Sequence, residues 1–228
     1  KIAKHGVLCI WELLFLRMAG FNDYNANGAT WYISAMLCAM AVLLPFFYKN
    51  REQFLYLTAP LLAVGITGYL YTASKTLRGN TDWMGLCFRG FLRAMAVLCI
   101  GCICYIACQK LKQVQLTRFA RALLSAAETG GYLFALYWTY GHGTSRMQFV
   151  ILLLFAVSVT ISFSHQGLLA FIYDHPVSYW LGKFSFSLFL SHHAWSGRIR
   201  KMFPDDSYAQ MFPKYVGLSV ATAFVVYG

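Results

Sequence analysis

Charge is what this sequence has least of. Only 12% of its 228 residues are Asp, Glu, Lys or Arg, about half the share of an ordinary soluble domain. Hydrophobic residues make up 59%, and the mean hydropathy is +0.54, a balance that excludes a soluble globular domain. Acidic residues are the scarcest, 8 against 19 Lys and Arg, which leaves a net charge of +11. Such a basic excess can mark a nucleic-acid binder, but here the cations sit in links between apolar blocks and not on one soluble face, so no nucleic-acid partner is expected.

Other absences narrow the field further. There is no glycine-rich phosphate loop, paired-carboxylate motif or nucleophile elbow, no repeat of fixed period and no low-complexity tract. No cleavable signal peptide is visible in this stretch, since Lys1 and Lys4 precede a segment interrupted by Glu12 and Arg17 with no small-residue cleavage site after it. Seven cysteines is an odd number, and Cys99, Cys102, Cys104 and Cys108 crowd into one apolar block. Ligands pointing around a single helix with no histidine nearby do not converge on a metal, and buried cysteine commonly packs as a small apolar side chain. Neither a metal site nor a disulfide framework is expected.

What is present is a series of apolar blocks near 7–20, 31–48, 54–73, 83–108, 122–140, 147–163, 177–195 and 215–227. Most approach the roughly 20 residues needed to cross a bilayer as a helix. The expectation is one all-α membrane-embedded domain over 1–228, a polytopic transmembrane helical bundle of about eight helices. The block from Tyr215 to Tyr227 is too short to span about 30 Å, and the chain begins at Lys1 without a methionine, so the domain is expected to be truncated at both ends. Pro45 and Pro60 fall inside blocks, where they can kink a membrane helix. Lys1 and Lys4, Lys49 and Arg51, then Lys110, Lys112, Arg118 and Arg121 fall on one side of the bundle, which the positive-inside rule makes cytoplasmic. Lys75, Arg78, Arg198, Arg200 and Lys201 lie on the other side and soften the bias.

Polar groups inside the blocks are the informative ones, since each needs a partner or water. Arg89 and Arg93 share one helix face. With a helix from residue 83, Arg93 lies about 15 Å along the axis, too deep to snorkel, and is expected to face the bundle interior. It is either a structural arginine held by carbonyls and helix ends or a binder of an anionic group. Glu128 is the deepest carboxylate of the later blocks, a proton acceptor or half of a buried ion pair, and Gly130 and Gly131 beside it allow close helix approach. Glu12 and Arg17 invite the same two readings. In 182-GKFSFSLFLSHHAW-195, Ser185, Ser187 and Ser191 lead to His192 and His193, either an interfacial pair beside Trp195 or a site of proton transfer. Consecutive residues diverge by about 100° on a helix, so only one of the two histidines is expected to face a given cavity. His142, His165 and His175 sit in turn-like sequences that need no further reason.

The segments 30-TWYISAMLCAMAVLLPFFY-48, 89-RGFLRAMAVLCIGCICY-105 and 179-YWLGKFSFSLFLSHH-193 resemble, in order and spacing, the acyltransferase-3 family of bacterial membrane proteins. The branch that includes the membrane domain of vancomycin-resistance serine racemases is the most similar in pattern. The resemblance implies about ten membrane helices of roughly 20 residues each, of which the blocks here would be the third to the tenth. It matches Trp31 to the family's tryptophan, Arg93 and Gly101 to its arginine and glycine, and Gly182, Ser185 and His192 to its late signature. Phe186 stands where that signature has tyrosine, and Met36 where many members have glutamate. Lys1 and Lys4 fall where many members carry paired arginines near the acyl donor. The implied activity is transfer of an acyl group, acetyl from acetyl-CoA, to a hydroxyl of a cell-surface or cell-wall carbohydrate across the bacterial inner membrane. Arg89, Arg93, Glu128, Ser185 and Trp31 would then line the substrate path, Lys1 and Lys4 the donor site, and His192 would support a principal histidine expected in an earlier helix. A fragment lacking that helix is expected to be inactive alone. The alternative is a non-catalytic membrane carrier or sensor domain for a small polar solute such as serine.

The orientation is checked by labelling. With Gln113→Cys as the single reactive cysteine of the full-length protein, a membrane-impermeant maleimide is expected to react only after cells are permeabilised. Labelling of intact cells would invert the topology.

Overall fold

A backbone crossing hydrocarbon must satisfy its own polar groups, and the apolar blocks do so as helices. The computed structural model describes residues 10, 14–19, 28–85, 87–141 and 145–227. Among these, α1 covers Thr30–Lys49, α2 Arg51–Ala73, α3 Arg89–Lys112, α4 Arg118–Gly141 and α5 Met147–Ser164. A short α6, Ala170–Tyr173, leads into α7, Pro176–Ser196, and a short α8, Ile199–Met202, leads into α9, Tyr208–Tyr227. Two-residue strands, β1 Trp83–Met84 and β2 Cys87–Phe88, pair antiparallel just before α3. The protein is all-α apart from that hairpin, with nine helices among the described residues. Four of them, α1, α2, α3 and α5, are long and apolar enough to cross a membrane.

Two expected boundaries move. Trp83–Met84 and Cys87–Phe88 pair as strands instead of opening a helix, and α3 starts at Arg89, whose N–H donates to Asp82 O at 2.9 Å while Gly90 N–H donates to Asn80 O at 3.0 Å. Arg93 therefore stands about 6 Å from the helix start and not 15 Å deep. The last helix is longer than its apolar stretch suggests: α9 runs 20 residues from Tyr208 through Pro213, enough for about 30 Å. Its first turns carry Gln210, Pro213 and Lys214, which hide it from a hydropathy reading. Of the first expected block, residues 17–19 form a 3-10 turn, and Lys1, Lys4 and Glu12 lie outside the described residues.

Pro60 leaves its mark one turn upstream. Proline lacks an N–H and crowds the carbonyl four residues back, and Phe54–Thr58 widen into a π turn in which Ala59 N–H reaches Phe54 O. Pro45 is carried inside α1 without a break.

Packing is inside-out relative to a soluble protein. Ala35, Ala39, Ala59, Ala63, Ala96 and Cys99 are buried, whereas Leu61, Val64, Leu133, Leu153 and Val225 point outward. Small side chains let the helix backbones approach, and the large apolar ones are left for lipid. Cys99 belongs to the core formed by Leu43 of α1, Phe54, Leu55, Ala59 and Ala63 of α2 and its own helix α3. Helix α4 reaches α5 through Gly131, where a Cβ would strike Ser158 Oγ; Gly130 faces open space. Helices α7 and α9 pack on each other through Phe184 and Phe224, ring centroids 4.6 Å apart.

Gly131→Leu is therefore expected to destabilise the protein in detergent by about 1–3 kcal/mol through overpacking. Gly130→Leu should leave the thermal unfolding midpoint unchanged. Equal shifts for both would mean that α4 does not meet α5 along this face.

Candidate functional site

The connection from α2 to α3 is shaped by its backbone polar groups. Ser74 Oγ donates to Leu70 O and is also 2.7 Å from Thr76 O. Gln148 of α5 accepts from Thr76 Oγ1 at 3.0 Å and from Leu77 N–H at 2.8 Å. So held, the loop turns the carbonyl of Leu77 and the amide oxygen of Asn80 toward α3. Arg93 takes both, donating to Leu77 O and, at 2.9 Å, to Asn80 Oδ1. Its guanidinium carbon lies 4.5 Å from the centroid of the Trp31 ring, a cation–π contact worth about 0.5–2 kcal/mol. Arg89 is spent on the same loop, donating to Arg78 O and pairing with Asp82 at 3.0 Å. Gly79 makes this possible: its φ of +95° and the nearness of Asp82 and Arg89 leave no place for a side chain.

A second arginine enters from the 3-10 turn Arg17–Ala19. Met18 N–H donates to Ser34 Oγ of α1 at 2.9 Å, and the Met18 side chain, 1% exposed, packs against Gly90 at the start of α3. This wedge fixes Arg17 with only 6% exposure. Its Nε and Nη1 have no hydrogen-bond partner among the described residues.

Between these arginines and the end of α7 lies a cavity of about 550 Å³, lined in part by Arg17, Trp31, Tyr32, Asn80, His192 and His193. Tyr32 meets Phe189 of α7 edge-on, centroids 5.9 Å apart. Both histidines border this space, contrary to the expectation that only one could. Their ring centroids are 6.2 Å apart and the ring planes nearly perpendicular, and the cavity is wide enough at the end of α7 to touch both. His193 lies flat against Gly28, where no Cβ would fit. His192 is half-buried, with Nδ1 3.3 Å from Leu188 O. A carbonyl only accepts, so this contact is a hydrogen bond in the tautomer with the proton on Nδ1, which leaves Nε2 as the acceptor nitrogen. Cation, amide, aromatic faces and a basic imidazole together suit a polar, hydroxyl-bearing ligand.

The other candidate residues lie elsewhere. Ser185 borders a smaller cavity of about 360 Å³ that also touches His192, but its Oγ is occupied by Gly182 O at 2.7 Å. Ser191 does not extend the polar lining; it is buried against α9, donating to Ser219 O at 3.1 Å. Glu128, 1% exposed, is buried in the middle of α4 and does not line this cavity. Its carboxylate accepts from Ser162 and from Tyr173, and Tyr132 OH lies 3.0 Å from Ser162 Oγ. The ion pairs among the described residues do not include it, so hydroxyl donors have taken the place of the expected cation. Burial and then the hydrogen bond to Glu128 hold the Tyr173 phenol above its ordinary range. Ser125 Oγ accepts from Leu168 N–H at 2.6 Å, so the cluster ties the α5–α6 link to α4. Nothing local in the sequence distinguishes Arg17 from Glu12 as a site residue, because the turn that carries Arg17 to the cavity lies outside the long helices.

Comparison with known proteins gives one finding. The profile of the acyltransferase-3 family, described as an acyltransferase domain, matches residues 2–228. No curated protein and no solved structure matches the chain.

The hydroxyl cage of Glu128 makes its own prediction. Gln can accept the same two hydrogen bonds, so Glu128→Gln is expected to keep stability within about 1 kcal/mol, whereas Glu128→Leu orphans two donors and should cost about 2 kcal/mol or more. Equal losses in thermal unfolding would show that the charge itself is required.

Proposed function

This chain belongs to the acyltransferase-3 family, and from that premise we propose that it serves a multi-pass membrane O-acyltransferase of the bacterial inner membrane, passing an acyl group, acetyl in the simplest case, from acyl-CoA to a hydroxyl of a surface or wall carbohydrate. The observation that carries this reading is where the cavity lies. Trp31, Arg93 and His192 meet at the end of the bundle opposite the links 49–51 and 109–121. With those basic links cytoplasmic, the cavity opens outward, where a carbohydrate acceptor would be.

The two faces then divide the work. Lys110, Lys112, Arg118 and Arg121 fit the phosphates of coenzyme A at the inner face, with Lys1 and Lys4 beyond the described residues. For direct transfer the pantetheine arm of the donor has to thread the bundle from the inner face, so that its thioester carbon is presented as electrophile at the outer cavity. At the outer cavity, Trp31 and Tyr32 offer faces for a sugar ring and Asn80 a polar contact, while Arg93 holds Asn80 and the Trp31 ring in place behind them. His192 Nε2 takes or relays the proton that the acceptor hydroxyl loses as its oxygen bonds the acyl carbon and the carbon–sulfur bond breaks. The departing thiolate receives a proton in return. His193, flat on Gly28, packs the cavity wall.

Labelled acetyl-CoA supplied to membranes holding the full-length protein is expected to label envelope carbohydrate. His192→Ala should lower transfer about 100-fold or more at equal amounts of folded protein, while His193→Gln retains most of it. Equal activity of the two variants would return both histidines to an interfacial role. No transfer from folded protein would favour the solute carrier that the resemblance to serine-racemase membrane domains suggests.

A further inference from the structure

We propose that the outer cavity takes an acceptor that is itself an anion, a sugar bearing a carboxylate or a phosphate, with Arg17 as its charge partner. The inference rests on the acyl-transfer reading for the word acceptor, but its evidence is separate.

Arginine does not shed its proton to escape burial, and a buried charge is tolerated where a partner meets it. Arg17 is 6% exposed, and its Nε and Nη1 lack hydrogen-bond partners among the described residues. It cannot easily swing out to water. The turn that carries it is pinned by Met18 N–H on Ser34 Oγ, and both of those residues are 1% exposed. The neighbouring cations have partners: Arg93 has Leu77 O, Asn80 and the Trp31 ring, and Arg89 has Asp82 and Arg78 O, with only its Nε unpaired. The described ion pairs are Arg89–Asp82, His165–Asp174 and Lys214–Asp206, none of which involves Arg17.

The cavity that Arg17 lines has no acidic residue among its described walls. Its volume of about 550 Å³ lies in the range of small-ligand sites. A carboxylate or phosphate entering it would lie against Arg17, whose buried Nε and Nη1 have no hydrogen-bond partner among the described residues, and a guanidinium suits either anion. Trp31 and Tyr32 stand in the same wall, and the electron-rich faces of aromatic rings attract the C–H edges of a sugar ring. A neutral acceptor would use the aromatic wall and leave the buried charge unmatched.

The test is a binding comparison on the full-length protein in lipid nanodiscs, followed by saturation-transfer NMR with glucuronic acid, glucose 6-phosphate and glucose. At least one acidic probe is expected to bind about tenfold or more tighter than glucose. Preference for glucuronic acid assigns a carboxylate acceptor and preference for glucose 6-phosphate a phosphorylated one. Arg17→Gln should abolish the preference and Arg17→Lys should keep part of it. Equal affinity for the three probes in the unmodified protein would overturn the proposal without recourse to any variant, as would a preference that survives Arg17→Gln in folded protein. Transfer assays separate this inference from the one beneath it. Acidic preference without acyl transfer would sink the enzyme reading and leave the anion site standing. Equal transfer to acidic and neutral acceptors, undiminished by Arg17→Gln, would do the reverse.

Discussion

A guanidinium keeps its charge at every accessible pH, so one placed near the end of a membrane helix has to be wrapped by carbonyls, aromatic faces or counter-ions. Arg93 is wrapped by all three chain elements that meet there. Trp31 comes from the start of α1, Leu77 O and Asn80 from the α2–α3 loop, and the loop is in turn held by Gln148 of α5. Meeting the needs of one charge thus brings together segments more than a hundred residues apart. The pairing of β1 with β2 belongs to the same arrangement, because it sets where α3 begins and so how far Arg93 lies from the interface.

The bundle has a second polar centre, and its chemistry is different. Around Glu128 the donors are hydroxyls from Ser162 and Tyr173, which stabilise a buried carboxylate without a cation. Those partners sit on α5 and on the short α6, so the cluster couples α4 to the segment that delivers α7. It is sealed, whereas the cavity at the Arg93 end is open and carries unmatched donors. A closed, satisfied network locks elements together; an open, incompletely satisfied one is available to a ligand. The two polar centres are built for these two tasks.

The cavity also lies along a seam. Helices α1 to α5 pack through small residues, while α7 and α9 pair through aromatic rings. At the cavity the two groups touch through Tyr32 on Phe189 and Gly28 on His193. A ligand lodged there would contact both groups at once, which gives binding a route to the relative placement of α7.

Much of this was legible in the sequence, because hydropathy and charge placement act over local windows. Scarce charge dictated a membrane bundle, the apolar blocks dictated most of the long helices, and Trp31, Arg93 and His192 stood out as polar or amphipathic groups in the wrong solvent. Their grouping with Glu128 and Ser185 was not supported, since position along a helix says how deep a residue lies but not which neighbour it faces. The start of α9 was hidden by Pro213 and Lys214, and the start of α3 by Trp83 and Phe88, which are as apolar in a hairpin as in a helix. Arg17 shows the limit most plainly. Its charge is written in the sequence; its burial depends on Met18 reaching Ser34 and Gly90, contacts between segments that only tertiary folding brings together.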